Sequence, residues 1–271
     1  MTEEAKVVIF KRSADLPFSV QPVVGLEDRY PSGFNDPLHA HEQCQLALTL
    51  SGMMTVMTAE TSFILPPFRA MWIPASTHHQ VTTRGAVVFN TLYIDKSLRA
   101  WGNHCRVFDT TPLVRALIGE ILHFRLPYAP DSREGRLTAL LLDELDRMPD
   151  LNLQVTMPSD PRLARVCRTI LSDPSDTCDL DHWSREAAMG RRTFTRLFRQ
   201  QTGMGLAAWR QQARMVEAIA MLEQGISVTE VAYSVGYDSP SAFSAVFRRI
   251  FGAAPSAYAA NRAVRTASTI I

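Results

Sequence analysis

The side chains in this sequence whose types and spacing could do chemistry fall into two groups. The first is His39-Ala-His41 with Gln45 shortly after it and His78-His79 further along the chain. Histidines two apart on an extended strand present both imidazoles to one face, as a divalent metal site requires. Of the adjacent pair, His79 would join them and His78 would point to the opposite face. Histidines that line a small-molecule pocket, or that only hydrogen-bond within a β-structure, would be spaced in the same way. The second group is Arg191, Arg192, Arg196 and Arg199 interleaved with Thr193 and Thr195. On a helix whose apolar side is Phe194, Leu197 and Phe198, these residues make an outward face rich in positive charge and hydrogen-bond donors, suited to a DNA major groove. An αα-hairpin with a solvated arginine face would look alike over this stretch alone. No Ser-His-Asp arrangement, Gly-rich phosphate loop or paired-carboxylate pattern accompanies either group, so catalysis would have to rest on a metal.

The chain that must position these groups has 271 residues, 46% hydrophobic and 20% charged, enough for two modest domains. Its net charge of +1 conceals a split. Residues 161–271 hold 14 of the 28 basic and 9 of the 27 acidic side chains, a balance of +5 against −4 for the rest. That asymmetry fits a chain in which one domain meets a polyanion. All the basic residues of the C-terminal part are Arg, which suits bidentate contacts to phosphate and guanine. The four cysteines, Cys44, Cys105, Cys167 and Cys178, form no CxxC pair, so neither a zinc site nor a disulfide framework is indicated. No signal-peptide pattern or long apolar run is visible, and the expectation is a soluble cytoplasmic protein with no membrane partner.

Residues 1–36 read as irregular chain or short strands. From His39 to Asp95 the pattern is period-two, in strand-length runs such as QLALTLSG, MMTVMTA, AMWIPA and GAVVFNTLYI, which predicts a β-sandwich or small barrel. Of the aromatic residues on these runs, Phe63, Phe68, Trp72, Phe89 and Tyr93, Trp72 is taken with the histidines as a pocket candidate. From Thr111 the period becomes helical. PLVRALIGEILHFRL and GRLTALLLDELDRM are amphipathic, and Leu137, Leu140, Leu141, Leu142 and Leu145 form a wide stripe that serves either intramolecular packing or a dimer surface. Met148 to Pro161 is turn-rich.

The histidine region resembles the cupin family. Its first motif, H-x-H, three residues, a carboxylate, six residues and glycine, falls on His39, His41, Gln45 and Gly52. Its second, P-x-G, two residues and histidine, falls on Pro74, Ser76 and His79. Gln45 departs from the usual Glu and Ser76 from the usual Gly. The resemblance implies a jelly-roll barrel in which His39, His41 and His79 converge, with Gln45 as a weaker fourth member. The amide at 45 removes a charge that would help hold a cation.

Further on the chain repeats itself. Leu180–Gly203 reads as helix, break at Gly190, helix; Ser227–Gly252 reads likewise, with Phe243, Val246 and Phe247 parallel to Phe194, Leu197 and Phe198, and a long helix from about Gly205 to Glu223 joins the two. With Val231-Ala, Gly236-Tyr237, Phe243, Phe247, Phe251-Gly252, Pro255-Ser and Tyr258, residues 161–262 resemble the DNA-binding domain of the AraC/XylS family of bacterial transcription regulators.

The fold class expected is α+β: an N-terminal cupin-like β-barrel (jelly roll) followed by two helices, then an all-α C-terminal domain with two helix-turn-helix units joined by a long helix. The divisions are 1–110 for effector sensing, 111–150 for a helical pair and possible dimer surface, 151–160 for a linker, 161–262 for DNA binding and 263–271 for a tail. The resemblance implies Arg191, Arg192, Thr195, Arg196 and Arg199 on the first recognition helix, and Ser241, Ala242, Ser244 and Arg248 on the second, as DNA contacts. Effector binding falls to His39, His41, Gln45, Trp72 and His79, and a divalent metal to His39, His41 and His79. Double-stranded DNA, a small-molecule effector, a second copy of the chain in a homodimer and, for an activator, RNA polymerase are the partners expected. The alternative is a metal-dependent cupin enzyme with a helical appendage, against which Gln45, the duplicated helix-turn-helix and the charge split all count.

Overall fold

The computed structural model describes residues 22–98, 101–151 and 153–260. The expectations for residues 1–21 and for the tail at 263–271 lie outside those residues. Among the described residues eight strands form one antiparallel sheet: β1 (Val23–Tyr30), β2 (Asn35–His39), β3 (Cys44–Thr58), β4 (Thr61–Leu65), β5 (Arg69–Ile73), β6 (His79–Ile94), β7 (Arg106–Asp109) and β8 (Gln154–Thr156). QLALTLSG and MMTVMTA are not two strands but one, β3, whose register shifts between Thr49 and Met53. Gly52 sits in that irregularity at φ +71, where a Cβ would come within 2.3 Å of the Ala86 carbonyl oxygen, so only glycine fits. β3 pairs with β5 over its first half, with β4 over its second, and with β6 along its other edge. The sheet curls as a result, and β1, β2, β3, β5 and β6 all contribute to the wall of one cavity.

Alternation along the strands sorts their side chains between two sides. Leu46, Leu48, Ala70, Trp72, Leu92 and Ile94 face a cluster completed by Val114, Leu117, Ile118, Leu141, Leu142 and Leu145. Those residues come from α1 (Pro112–Ile121), capped by the Thr111 hydroxyl, and α2 (Arg133–Leu145), capped by Ser132. Most of the leucine stripe is therefore spent on the sheet, while Leu113 and Leu140 remain 45% and 41% exposed. Ala47, Ile73 and Phe89 face the other way, toward the cavity.

The helical part comprises α3 (Pro161–Ser172), α4 (Leu180–Glu186), α5 (Arg191–Thr202), α6 (Leu206–Glu223), α7 (Val228–Ser234) and α8 (Pro240–Phe251). The stretch expected to be a linker contains β8, which pairs with β4 and is tied to α6 by a hydrogen bond from Trp209 Nε1 to the Thr156 carbonyl at 2.6 Å. A three-residue strand carries too little periodicity to be recognised from sequence. α6 is buried on several sides at once. Its Val216 and Ala220 pack on Met53 of β3 and Ile64 of β4. Its last turn places Glu223 Oε1 3.1 Å from Nη2 of Arg69, both side chains buried. Arg69 also reaches Asp109 at 3.2 Å, so the buried pair belongs to a small charged network between the sheet and α6. No helix among the described residues is long and apolar enough to cross a membrane.

Candidate functional site

The cavity inside the curled sheet has a volume of about 480 Å³ and a mostly apolar wall, including Tyr30, Phe34, Met54, Val56, Ile73, Phe89 and Tyr93. His39, His41, Gln45 and His79 all line it. Antiparallel pairing sets His39 of β2 directly opposite His79 of β6, and their ring centroids are 4.4 Å apart. His41, just past the end of β2, lies 4.8 Å from His39 and 5.3 Å from His79 by the same measure. One nitrogen of each ring falls within 4.8 Å of the others. Nδ1 of His39 lies 2.7 Å from the Pro37 carbonyl oxygen and Nδ1 of His79 lies 2.9 Å from that of Thr77. A carbonyl can only accept, so Nδ1 is the donor in both contacts. Burial, and then the neighbouring His39 and His79, push His41 down to about 4, and burial lowers His79 as well, so both are neutral near pH 7.

Gln45 donates from Nε2 to the Thr91 hydroxyl at 3.1 Å, while its Oε1 is buried without a hydrogen-bond partner. Asp36 approaches His39 Nε2 at 3.7 Å and supplies a negative charge near the imidazoles that the amide at 45 does not. Deeper in the wall, burial and then Asp36 raise the buried Asp28 carboxyl from 3.8 to about 6. Ser76 stands where the cupin pattern has glycine and takes φ 62, and its N–H donates to the His41 carbonyl at 2.6 Å. Trp72 is a correction. Its neighbours on β5, Met71 and Ile73, point to the cavity side, so alternation turns Trp72 to the helix-covered side, where its ring meets Trp101 edge-on at 4.5 Å. His78, as expected, is exposed and stands apart from the cluster.

On α5, Phe194 and Phe198 are fully buried, and the opposite side exposes Arg191, Arg192, Thr195, Arg196, Arg199 and Gln200 as one continuous surface. These positions repeat every three or four residues, so Gln200, missed from sequence, was within reach of the same periodicity. Arg191 is held back: its Nη1 donates to both carboxylate oxygens of Asp181 on α4, at 3.0 and 3.1 Å. The break between α4 and α5 falls at Gly190 as expected. Gly190, at φ −66, is the N-cap of α5, and the left-handed residue is Ala188, at φ 50. On α8, Ser241, Ala242 and Arg248 are exposed and Ser244 is half-buried. Arg249, also exposed, joins Arg248 in the last turn.

Residues 183–261 match the family model described as a helix-turn-helix domain. Over 226 residues the chain is 31% identical to the HTH-type transcriptional regulator NimR of Escherichia coli K12, covering 83% of this chain and 82% of that protein. The chain belongs to the AraC family of transcription regulators. The Arabinose operon regulatory protein of Escherichia coli K12 is 30% identical over 232 residues, which cover 79% of this chain and 80% of its own. ToxT from Vibrio cholerae aligns over 88% of this chain and 98% of its own at 13% identity, with a TM-score of 0.38. As an AraC-family member the chain is a DNA-binding transcription regulator and not an enzyme, because the matches run across both its parts to named regulators of transcription. The metal-dependent enzyme with a helical appendage is set aside on that ground.

In this AraC-family chain two arginines of α6 hold the reading units together, and sequence reasoning passed over both. Arg210 donates to the carbonyls of Cys178 and Asp176 and, at 3.0 Å, to the Asp176 carboxylate. Arg214 donates to the Pro174 carbonyl at 2.9 Å, to Asp176 at 2.8 Å and to the Gly236 carbonyl at 3.1 Å. The loop leading into α4 and the turn leaving α7 are thus fixed to one helix. No local pattern marks either residue, because both act through carbonyls of loops distant in sequence.

Proposed function

We propose that this regulator reads DNA chiefly through α5, anchors itself through α8, and adjusts its operator occupancy to a small molecule held in the β-cavity. The observation that carries the reading is the exposed α5 surface, on which Arg192, Arg196 and Arg199 are free of protein ion pairs among the described residues. Arg196, in mid-helix, is the base reader, placed to take guanine O6 and N7 together. Arg192 and Arg199 flank it toward phosphate, Arg191 reaches phosphate only from its position beside Asp181, and Thr195 adds a hydroxyl. On α8, Ser241, Ala242 and Ser244 supply close, weakly polar contacts, and Arg248 an anchor to the backbone. With both units fixed to α6, the two recognition helices enter successive major grooves roughly one helical turn apart.

The sensor spans 1–110, the helical pair 111–150 and the reader 161–262, with residues 151–160 joining them through β8. A ligand touching β3 and β5 from the cavity acts on the same strands whose residues Met53 and Arg69 bear on α6, which carries both reading units. Coupling follows if the ligand favours one of two arrangements of that contact. Leu113 and Leu140, exposed on α1 and α2, are the apolar contribution to a homodimer; in an activator the assembled complex meets RNA polymerase. The chain works in the cytoplasm.

Footprinting the purified protein on the DNA upstream of its own gene tests the reading. Protection of two successive major grooves on one face is expected. Val81→Phe, which narrows the cavity, should keep the footprint while abolishing its response to cell extract metabolites. No footprint on any genomic fragment would overturn the assignment of α5 as reader.

A further inference from the structure

The formal charges on the cavity wall have one sign. Asp28 and Asp36 line it, and no lysine or arginine does so among the described residues. Asp28 is only 7% exposed, yet no ion pair or hydrogen bond joins its side chain to another described residue. A buried carboxylate without a partner is costly, and a ligand of opposite charge offsets that cost. The imidazoles do not supply the charge: burial keeps His41 and His79 neutral, and His39 approaches Asp36 rather than Asp28. Aromatic rings complete this end of the cavity. Asp28 stands opposite Phe89 in the β1–β6 register, Tyr30 stacks on Phe34 with ring centroids 4.1 Å apart, and Tyr30 lies 4.9 Å from Phe89. Ring faces attract a cation, most strongly one taken out of water. Gln45 points independently to a ligand with hydrogen-bond donors. It is 8% exposed, pairs with Thr91 through Nε2 and leaves Oε1 without a hydrogen bond, opposite Tyr93 and four residues along β6 from Phe89.

We propose that the effector of this cavity is an organic cation, a protonated amine or amidine on an apolar body, whose charged end pairs with Asp28 and Asp36 against Tyr30, Phe34 and Phe89. A donor further along the same molecule reaches Gln45 Oε1. A cavity of about 480 Å³ suits a small organic molecule rather than a bare ion. The regulatory part of this inference rests on the cavity being the effector site; the preference for positive charge does not.

The test uses the full chain in chelator at neutral pH, so that no metal ion offsets the carboxylates. The probes are benzamidinium, its neutral isostere benzamide and the anion benzoate, each titrated by calorimetry. Benzamidinium should bind at least about tenfold more tightly than benzamide, as one charge-assisted hydrogen bond provides, and benzoate more weakly than either. Asp28→Asn should cut that preference at least about fivefold while leaving benzamide affinity within about twofold. The variant should melt no lower than the wild type, because it removes a buried charge that no described residue pairs. Benzamidinium bound no better than benzamide, or an Asp28→Asn variant that keeps the full preference, overturns the site. A variant that melts lower shows Asp28 serving the fold and overturns it as well. Passing chelator-treated cell extract through a cation-exchange resin should remove its effect on the footprint, and an anion-exchange resin should leave it. If the effect survives cation exchange and Val81→Phe abolishes it, the cavity is the effector site and the cationic inference fails. If the preference for benzamidinium holds and no extract alters operator occupancy, the cation site stands and the regulatory reading fails.

Discussion

In the first reading unit Phe194 and Phe198 pack on the core side of α5 with ring centroids 5.5 Å apart, and in the second Phe243 and Phe247 do the same on α8 at the same 5.5 Å. Both helices end in a left-handed glycine, Gly203 at φ 77 and Gly252 at φ 73. Their outward faces are different. α5 carries arginine from its first turn to its last, whereas α8 opens on Pro240, Ser241 and Ala242 and keeps its two arginines for the final turn. The buried half of each helix answers to the same packing and is alike; the exposed halves, proposed above as the DNA-facing sides, are not. A donor-rich face along the whole helix can reach base edges at several depths, while charge confined to one end can only hold a phosphate.

The largest expected effect tests that division directly. Arg196→Ala should lower operator affinity by about 5- to 150-fold, the 1–3 kcal/mol of one bidentate base contact, and flatten the preference at one base pair. Ser244→Ala, at a comparable place on α8, should cost no more than about fivefold, the worth of one neutral hydrogen bond. Fluorescence anisotropy on the operator and its single-base variants reads both. A larger loss from Ser244→Ala would reverse the ranking of the two units.

The turns inside the units contrast as well. Ala188 and Gly236 each stand two residues beyond the first helix of their unit, both with positive φ, but Gly236 also faces Arg214: a Cβ there would meet Nη2 at 2.7 Å and the Ser175 carbonyl oxygen at 3.0 Å. Gly236→Ala should therefore destabilise the chain by about 1–3 kcal/mol, from left-handed strain and a displaced Arg214 together. Gly190→Ala, at φ −66 with open space around it, should cost only a few tenths of a kcal/mol. Urea unfolding of the two variants decides the point. Equal losses would mean that Arg214 does not clamp the second turn.

What could be read in the sequence follows from how local each signal is. The α5 surface was legible because Phe194 and Phe198 fix the helix phase, and every outward residue follows by counting, Gln200 included. The histidine cluster was legible in part: His39-x-His41 is local spacing, but the pairing of His39 with His79 joins distant strands and entered only through the cupin motif. Trp72 was misplaced because a strand shows that its side chains alternate without showing which side holds the cavity; that depends on α1 and α2 covering the other face. Arg210 and Arg214 act through carbonyls of distant loops, and β8 exists only as a partner of β4, so neither had a local pattern to find.

A smaller effect separates phosphate anchors from base readers. Arg199→Ala and Arg248→Ala should each weaken binding to all sequences alike and reduce the slope of log affinity against log salt by about 0.9, the release of one counterion. Matched slopes would show that the final turns of α5 and α8 do the same work, and that the units differ only over their earlier turns. If Arg248→Ala changed base preference instead, α8 would be reading sequence and the contrast between the helices would fail.

The smallest effect concerns Ala188. At φ 50 a non-glycine residue carries about 1 kcal/mol of left-handed strain, and Ala188 is exposed, so its methyl contributes no packing that glycine would forfeit. Glycine would relieve the strain but add freedom to the unfolded chain, worth about 0.4–1 kcal/mol in the opposite sense. Ala188→Gly should therefore be neutral or stabilising by less than about 1 kcal/mol, moving the melting midpoint by at most about 4 °C. A clear loss of stability would mean that the first unit does not turn through Ala188 as the second turns through Gly236. The two units would then share their packed phenylalanines but not the backbone path between their helices.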